Sequence, residues 1–475
     1  MSDGGERLAT GVAGIDAILH GGLFHGGVYL VSGPPGTGKT IFGNEVAFAH
    51  ARAGGKSIFC TLLAETHGRM LANIRKLSFF DEHAVGNAIT YIEGFGALEE
   101  SGLEGALKLL RDSVRDRKAT LLVIDGTVTA ERMSPSDIAY KKFIQGLKSW
   151  VDLIDCTVIL LTSSGTDMSA VVQPEHTMVD GVIQFAARPL GMRMLREVCV
   201  RKFRGSAHLE GFHSYAINDD GIIAWPRTEA LLANVHPSAL SDERVPFGIP
   251  ALDEMIDGGV RRNSVTLLVG ATGVGKTQLG LQFLAEGVAR GEPSLYFGLF
   301  EPPALIERMA QQLGLAVADV EHRLTIVWQP DTERLPDALA ADLLRALDQS
   351  GARRVVVDGM VAFKTAAGDI ERLPGFFSAL TNELRRRGVT CMITEELRDM
   401  VNVALYVPVD NFSANCDNIL FLRQVEEEGS LVRYISVAKT RSSPHDRTPH
   451  HFDVTANGIA VAKKRGAKAR RKRRR

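Results

Sequence analysis

Short apolar runs alternate along this chain with segments of helical spacing, and Gly- or Pro-containing turns separate them. Val28–Ser32 is strand-like and stops at a Gly-rich loop, and Ile41–Ala49 then places apolar residues at helical spacing. Leu121–Ile124 and Thr157–Leu161 read as short buried strands. The same order returns at Val265–Val269, Leu279–Val288, Val355–Val357 and Val389–Ile393. Continuous apolar runs that alternate with helices predict a parallel sheet covered on both faces. Val182–Phe185, Leu195–Val200, Ile419–Leu422 and Val432–Ala438 read as further strands, partly antiparallel. No run approaches the ~20 apolar residues of a membrane span.

The recurrence is a duplication. Gly11–Thr40 (GVAGIDAILHGGLFHGGVYLVSGPPGTGKT) and Gly248–Thr277 (GIPALDEMIDGGVRRNSVTLLVGATGVGKT) match without a gap at an offset of 237. Asp180 and Asp417, Lys202-Phe-Arg204 and Lys439-Thr-Arg441, and Gly221 and Gly458 keep that offset. A period this long means two domains with separate cores rather than a solenoid. The expected boundaries are 1–235 and 236–462, with Trp225–Arg244 as linker. The expected fold class is α/β: two tandem domains, each a mostly parallel twisted sheet flanked by helices.

Composition changes this picture only at the end of the chain. Of the 55 Lys and Arg, ten lie in residues 463–475 (KKRGAKARRKRRR), so a net charge of -1 conceals an acidic body and a polycationic tail. That tail cannot pack a core and is expected to be disordered. It is a candidate for non-specific, salt-sensitive contact with nucleic acid or another polyanion. Five scattered cysteines form no C-x-x-C pair, which argues against a zinc ribbon and predicts buried, reduced thiols. Met1–Thr10 has no apolar stretch of the signal-peptide kind, and the expectation is a cytoplasmic protein without membrane contact.

The chemistry is concentrated in two phosphate loops. Gly33-Pro-Pro-Gly36-Thr37-Gly38-Lys39-Thr40 and Gly270-Ala-Thr272-Gly273-Val274-Gly275-Lys276-Thr277 both satisfy G-x-x-x-x-G-K-[ST] between a strand and a helix. Glycines let backbone N–H groups turn to phosphate, the helix start adds positive potential, and the lysine places charge at the β- and γ-phosphates. The Thr40 and Thr277 hydroxyls are Mg2+ ligands, joined by Asp125 and Asp358 at the ends of apolar strands. Glu65 and Glu301, after the next strand, are candidates to orient the attacking water. Thr162 and Thr394 are candidate γ-phosphate sensors. Lys202 with Arg204, and Lys439 with Arg441, lie far from their own loops; in a ring they reach a neighbour's γ-phosphate.

Two P-loop units of this size, with Lys202-Phe-Arg-Gly-Ser-Ala-His208 and its echo Lys439-Thr-Arg-Ser-Ser-Pro-His445, resemble the KaiC family of two-domain RecA-superfamily ATPases. The resemblance spans residues ~5–460. It implies two tandem RecA-like P-loop NTPase domains in a double-layered homohexamer, assembled with ATP and Mg2+ at subunit interfaces. Lys202, Arg204, Ser206 and His208, and likewise Lys439, Arg441, Ser443 and His445, would touch an adjacent subunit's nucleotide. Three departures stand out. Adjacent glutamates of the family align with Ala64-Glu65 and Phe300-Glu301. Its Ser-Thr phosphoacceptor pair aligns with Ser413-Ala414, leaving Ser413 as a candidate phosphosite. The basic tail matches no docking peptide of the family.

The expected function is an ATP-binding, slowly hydrolysing regulatory ring, read by partner proteins that the sequence does not name. A serine/threonine autokinase activity of the second domain is an accompanying hypothesis. A nucleic-acid-dependent recombinase-like ATPase, or an ATP-binding scaffold with negligible turnover, are the alternatives.

Overall fold

The computed structural model describes residues 6–63, 67–163, 177–233, 241–315, 323–330, 334–397, 412–441 and 443–462. The chain divides into two compact units, Met1–Leu231 and Leu232–Arg475. In the first, β1 (Arg7–Leu8) and β2 (Leu23–Phe24) form a small antiparallel ribbon. The main sheet comprises β3 (Val28–Gly33), β4 (Ser57–Thr61), β5 (Ile89–Glu93), β6 (Leu121–Asp125), β7 (Thr157–Ser163), β8 (Gly181–Leu190), β9 (Arg193–Phe203), β10 (His213–Asn218) and β11 (Gly221–Trp225). Their spatial order is β5-β4-β6-β7-β3-β8-β9-β10-β11. The strands from β5 to β8 run parallel, and β9, β10 and β11 add an antiparallel extension.

The second unit repeats this plan strand for strand. β12 (Arg244–Val245) and β13 (Val260–Arg261) make the ribbon. β14 (Val265–Ala271), β15 (Ser294–Gly298), β16 (Leu324–Trp328), β17 (Arg354–Asp358), β18 (Thr390–Leu397), β19 (Asn418–Glu427), β20 (Ser430–Thr440), β21 (His450–Thr455) and β22 (Gly458–Val461) follow. Their order is β16-β15-β17-β18-β14-β19-β20-β21-β22. The expected antiparallel character falls on β9 and β20, while β8 and β19 still run parallel to β3 and β14. The linker is shorter than its sequence suggests. Trp225 pairs with Ser214 as the last residue of β11, and Pro226, lacking an N–H, ends the strand.

The central strands explain why the sequence shows unbroken apolar runs. Along β3, Val28 and Leu30 face one side of the sheet and Tyr29 and Val31 the other, because successive side chains point oppositely. One face is covered by Phe42, Val46 and Phe48 of the helix Lys39–Arg52. The other is covered by Leu110 and Val114 of Phe95–Arg117 and by Phe143 and Leu147 of Asp137–Ile154. Each fully buried Leu or Phe contributes roughly 1.5–3 kcal/mol. All five cysteines lie free in these interiors.

The terminal hairpin of each unit is strapped to the helix that follows the phosphate loop. In the first unit the Glu45 carboxylate, 4 % exposed, accepts the Ile222 N–H at 3.0 Å. In the second the neutral Gln282 accepts the Ile459 N–H at 2.8 Å from the same position. Burial pushes the Glu45 carboxyl up to about 7, against the opposing pull of that N–H and of Arg52. A carboxyl raised in the fold is more protonated there than in the unfolded chain. Its stabilising contribution is therefore full below about pH 4.5 and lost as pH rises through about 7. Glu45→Gln copies the second unit. It should raise the first unit's unfolding free energy from urea denaturation at pH 8, by up to about 3 kcal/mol, and leave it nearly unchanged at pH 5. Parallel pH profiles for the two proteins would contradict the assignment.

Candidate nucleotide site

Each phosphate loop leaves the end of a buried parallel strand and enters a helix. Gly38 and Gly275 cap that helix at φ +88° and +115°, a backbone that side chains rarely tolerate. At Gly38 space adds to the demand, since a Cβ there would stand 2.7 Å from Ile217 of the strapping hairpin. Tyr215 of the same hairpin donates to the Thr37 carbonyl at 2.6 Å. The lysines fold back identically. Lys39 Nζ donates to the Gly33 and Pro34 carbonyls, and Lys276 Nζ to those of Gly270 and Ala271, all at 2.9 Å. Burial lowers the proton affinity of both ammonium groups, and the nearby acids oppose this.

Asp125 and Asp358 keep different company in the two units. In the first unit Thr40 Oγ1 donates to Asp125 Oδ2 at 2.7 Å. Hard oxygens so placed, on the first helical turn and an adjacent strand end, suit Mg2+. In the second unit Asp358 accepts from Tyr296 Oη at 2.7 Å and from Thr394 Oγ1 at 2.6 Å. Phe59 stands in the register of Tyr296 and offers no hydroxyl. No cluster of three or more His, Cys, Asp or Glu able to hold a metal occurs among the described residues.

A cavity of about 310 Å3 lies over the second loop, lined by Thr272, Gly273, Gly275, Lys276, Thr277, Glu301, Asp358 and Thr394, among others. Glu301 therefore sits at the site, its carboxyl raised by burial and by Asp358. Glu65 lies outside the described residues. Thr162 and Thr394 are not equivalent. Thr162 pairs with Ser32, whereas Glu395 pairs with the matching Val269 and Thr394 with Leu268. Thr394 thus occupies the register of Leu161, one position earlier, which places it beside Asp358.

Three further residues enter the site without having been singled out. Glu396 lines the cavity and accepts from Thr272, and it is the first of the four acids that raise the Lys276 pKa. Arg433 lines the cavity too, with its buried Nε unpaired. Arg196 lies 237 residues earlier, close enough to Tyr215 to lower its pKa. The repeat offset alone pointed to that arginine pair.

The other candidates stand at the opposite end of the sheet from their own loops. Lys202 pairs with Val182 near the start of β8, and Lys439 with Ile419 near the start of β19. Lys202 Nζ donates to the Thr177 and Val179 carbonyls at 3.0 and 2.7 Å, and Arg204 to Thr177 at 3.0 Å. Lys439 Nζ donates to the Ser413 and Cys416 carbonyls at 2.6 and 2.9 Å, and Arg441 to that of Ala414. Ser206 accepts from Arg7 at 2.7 Å, and Ser443 from Arg261 at 3.5 Å. His208 is half-buried in the same turn, and His445 Nδ1 meets Thr440 Oγ1 at 2.8 Å. Ser413 sits on the short helix Phe412–Asn415, far from its own unit's cavity.

Fold and site together define a tandem RecA-like P-loop ATPase architecture. A family model described as "ATPase: KaiC" matches residues 8–229 and again 245–466. The chain belongs to the KaiC ATPase family. It is 25 % identical to the circadian clock oscillator protein KaiC 1 of Synechocystis sp. strain PCC 6803 over 467 residues, 96 % of this chain and 89 % of that protein. It is 26 % identical over 486 residues to the circadian clock oscillator protein KaiC of Thermostichus vulcanus, covering 96 % and 89 %.

A carboxylate at the mouth of a triphosphate site opposes anion binding. Glu396→Gln, in a Lys39→Ala background that silences the first loop, should tighten Mg·ATP binding to the second unit by about tenfold. Unchanged or weaker binding in a fluorescent-nucleotide titration would show that the Thr272 hydrogen bond matters more than the charge.

Proposed function

We propose that this protein is an ATP-driven regulatory ring that binds nucleotide in both units and hydrolyses it slowly. The observation that carries the reading is the placement of Lys202 with Arg204 and of Lys439 with Arg441, across the sheet from their own phosphate loops in both copies. A cation so placed reaches a γ-phosphate only on another subunit, so each site is completed in trans. The assembly this favours is a homohexamer. Ser206, His208, Ser443 and His445 would join the same contact with the neighbour's nucleotide.

Within each site Lys39 or Lys276 and the loop N–H groups bind the phosphates. Thr40 with Asp125, and Thr277 with Asp358, would hold Mg2+, which neutralises phosphate charge when bound. Glu301 orients the attacking water and takes its proton, and Glu65 has the same role in the first unit. A lone general base contributes ~10²–10⁴ in rate, so Phe300 in place of a second acid favours slow turnover. Phosphate transfer to Ser413 would require a neighbour's nucleotide, and Ala414 excludes a second acceptor beside it. Partner proteins would read the nucleotide state of the ring. The polycationic tail, outside the described residues, would supply non-specific polyanion contacts. No helix among the described residues is long and apolar enough to cross a membrane.

Mass measurement with Mg·ATP, Mg·ADP and no nucleotide tests the assembly. Six-fold mass is expected with Mg·ATP, and a monomer under saturating Mg·ATP would refute the reading. Arg204→Ala with Arg441→Ala should cut hydrolysis by ~10³ or more, while each protomer still binds ATP. Glu301→Gln should abolish the second unit's share of turnover and leave its affinity for ATP nearly unchanged.

A further inference from the structure

The first unit carries a groove whose counterpart in the second unit is filled by an ion-pair ladder. It lies between the helices Phe95–Arg117 and Asp137–Ile154 and encloses about 780 Å3. Leu107, Val114, Trp150 and Ile154 form its apolar lining. Lys108, Arg111, Arg115 and Lys118 stand around it against only Glu104 and Asp112. Arg115 is committed to Asp112 at 2.9 Å, whereas Lys108 and Lys118 reach solvent. The groove is thus cationic on a body that is otherwise acidic. Its floor includes Ala119 and Thr120, just before β6, so it lies at the far end of the sheet from the phosphate loop.

Strand register fixes the comparison with the repeat. Leu121 and Arg354 pair with the equivalent Ser57 and Ser294, and Val158 and Cys391 with the equivalent Val28 and Val265. The left-handed residues that end these helices keep the same spacing, Lys118 with Gly351 and Asp155 with Gly388. On that alignment Glu383 replaces Trp150, Arg387 replaces Ile154 and Asp348 replaces Arg115. Arg387 spans the second unit's helices, donating to Glu383 at 2.7 Å, to Asp348 at 2.5 Å and to the Leu344 carbonyl at 3.3 Å. The first unit has an indole, an aliphatic side chain and a cation where the second has a closed ion-pair ladder.

We propose that this groove docks an acidic amphipathic helix of a partner protein. Apolar side chains of that helix enter between Leu107, Trp150 and Ile154, and its carboxylates meet Lys108, Arg111 and Lys118. Charge complementarity selects this occupant: a basic or purely apolar helix would leave the cationic rim unmatched. Leu153, 83 % exposed beside the groove, extends the apolar contact. The inference stands apart from the ring reading, since the groove is built within one unit and away from the nucleotide.

The probe is a fluorescein-labelled peptide of two Glu-Leu-Leu-Glu-Glu-Leu-Glu heptads, titrated against the full chain by anisotropy with and without Mg·ATP. Saturable binding is expected, weakened about tenfold or more by Trp150→Ala and by Lys108→Glu with Lys118→Glu. These lysines are exposed, so the charge variant keeps the fold, and Trp150→Phe should restore most of the affinity. A peptide with Ser for Leu should bind at least about tenfold more weakly. Equal binding of the Ser peptide, or affinity untouched by the groove variants, would assign the signal to the polycationic tail and overturn the proposal. So would absence of binding, tighter binding of an oligodeoxynucleotide at the same groove residues, or loss of self-assembly in the charge variant, which would make a second copy the occupant.

Discussion

The structure turns on a lysine ammonium held among backbone carbonyls at the end of a buried parallel strand. Lys39 and Lys276 lie in partly desolvated positions where a bare charge is unfavourable. Two carbonyls of their own loop support each one, and a phosphate group would complete the neutralisation. Everything around them serves to fix that turn. The strand is anchored by neighbours on both sides, the helix begins at a glycine whose left-handed backbone side chains rarely adopt, and a hairpin from the end of the unit leans on the loop. The duplicated core is the scaffold for two copies of one electrostatic trap.

The same geometry separates the trap from its second set of cations. In a parallel sheet every P-loop opens at the carboxyl edge, whereas an antiparallel strand such as β9 or β20 ends at the opposite edge. Lys202, Arg204, Lys439 and Arg441 follow from that topology, and no rotamer change carries them the length of the sheet. In the single chain they hold the carbonyls that lead into β8 and β19. They are therefore held in place within the single chain, which in the proposed ring would reduce the entropy lost on forming a subunit interface.

Much of this was legible in the residues. The two loops, their acids and the duplication are local patterns whose spacing is dictated by backbone geometry, and the parallel core follows from continuous apolar runs. Glu396 and Tyr296 were not legible, because each reaches the site from a strand whose register no local pattern encodes. Thr162 and Thr394 show the limit sharply. They look alike in sequence, yet a one-residue difference in pairing puts Leu161 in the register of Thr394, and a slip of one residue turns a side chain to the other face. Arg196 and Arg433 were accessible through the repeat offset, which had already exposed the Lys-x-Arg pairs.

The two units have kept one backbone and diverged in what surrounds it. The strap is a carboxylate at Glu45 and an amide at Gln282; the strand beside Asp125 or Asp358 offers Phe59 or Tyr296; one helix pair is open and the other is locked by Arg387. These differences share a direction. Among the described residues the second unit surrounds its loop with more acids and ties its helices with ion pairs. The first keeps a simpler phosphate site, a pH-sensitive strap and an open cationic surface. Duplication under a common packing constraint leaves such positions free to change, because the apolar faces of the sheet, not the edges or helix seams, set the fold. The differences between the units therefore lie at the rims of two nearly identical cores.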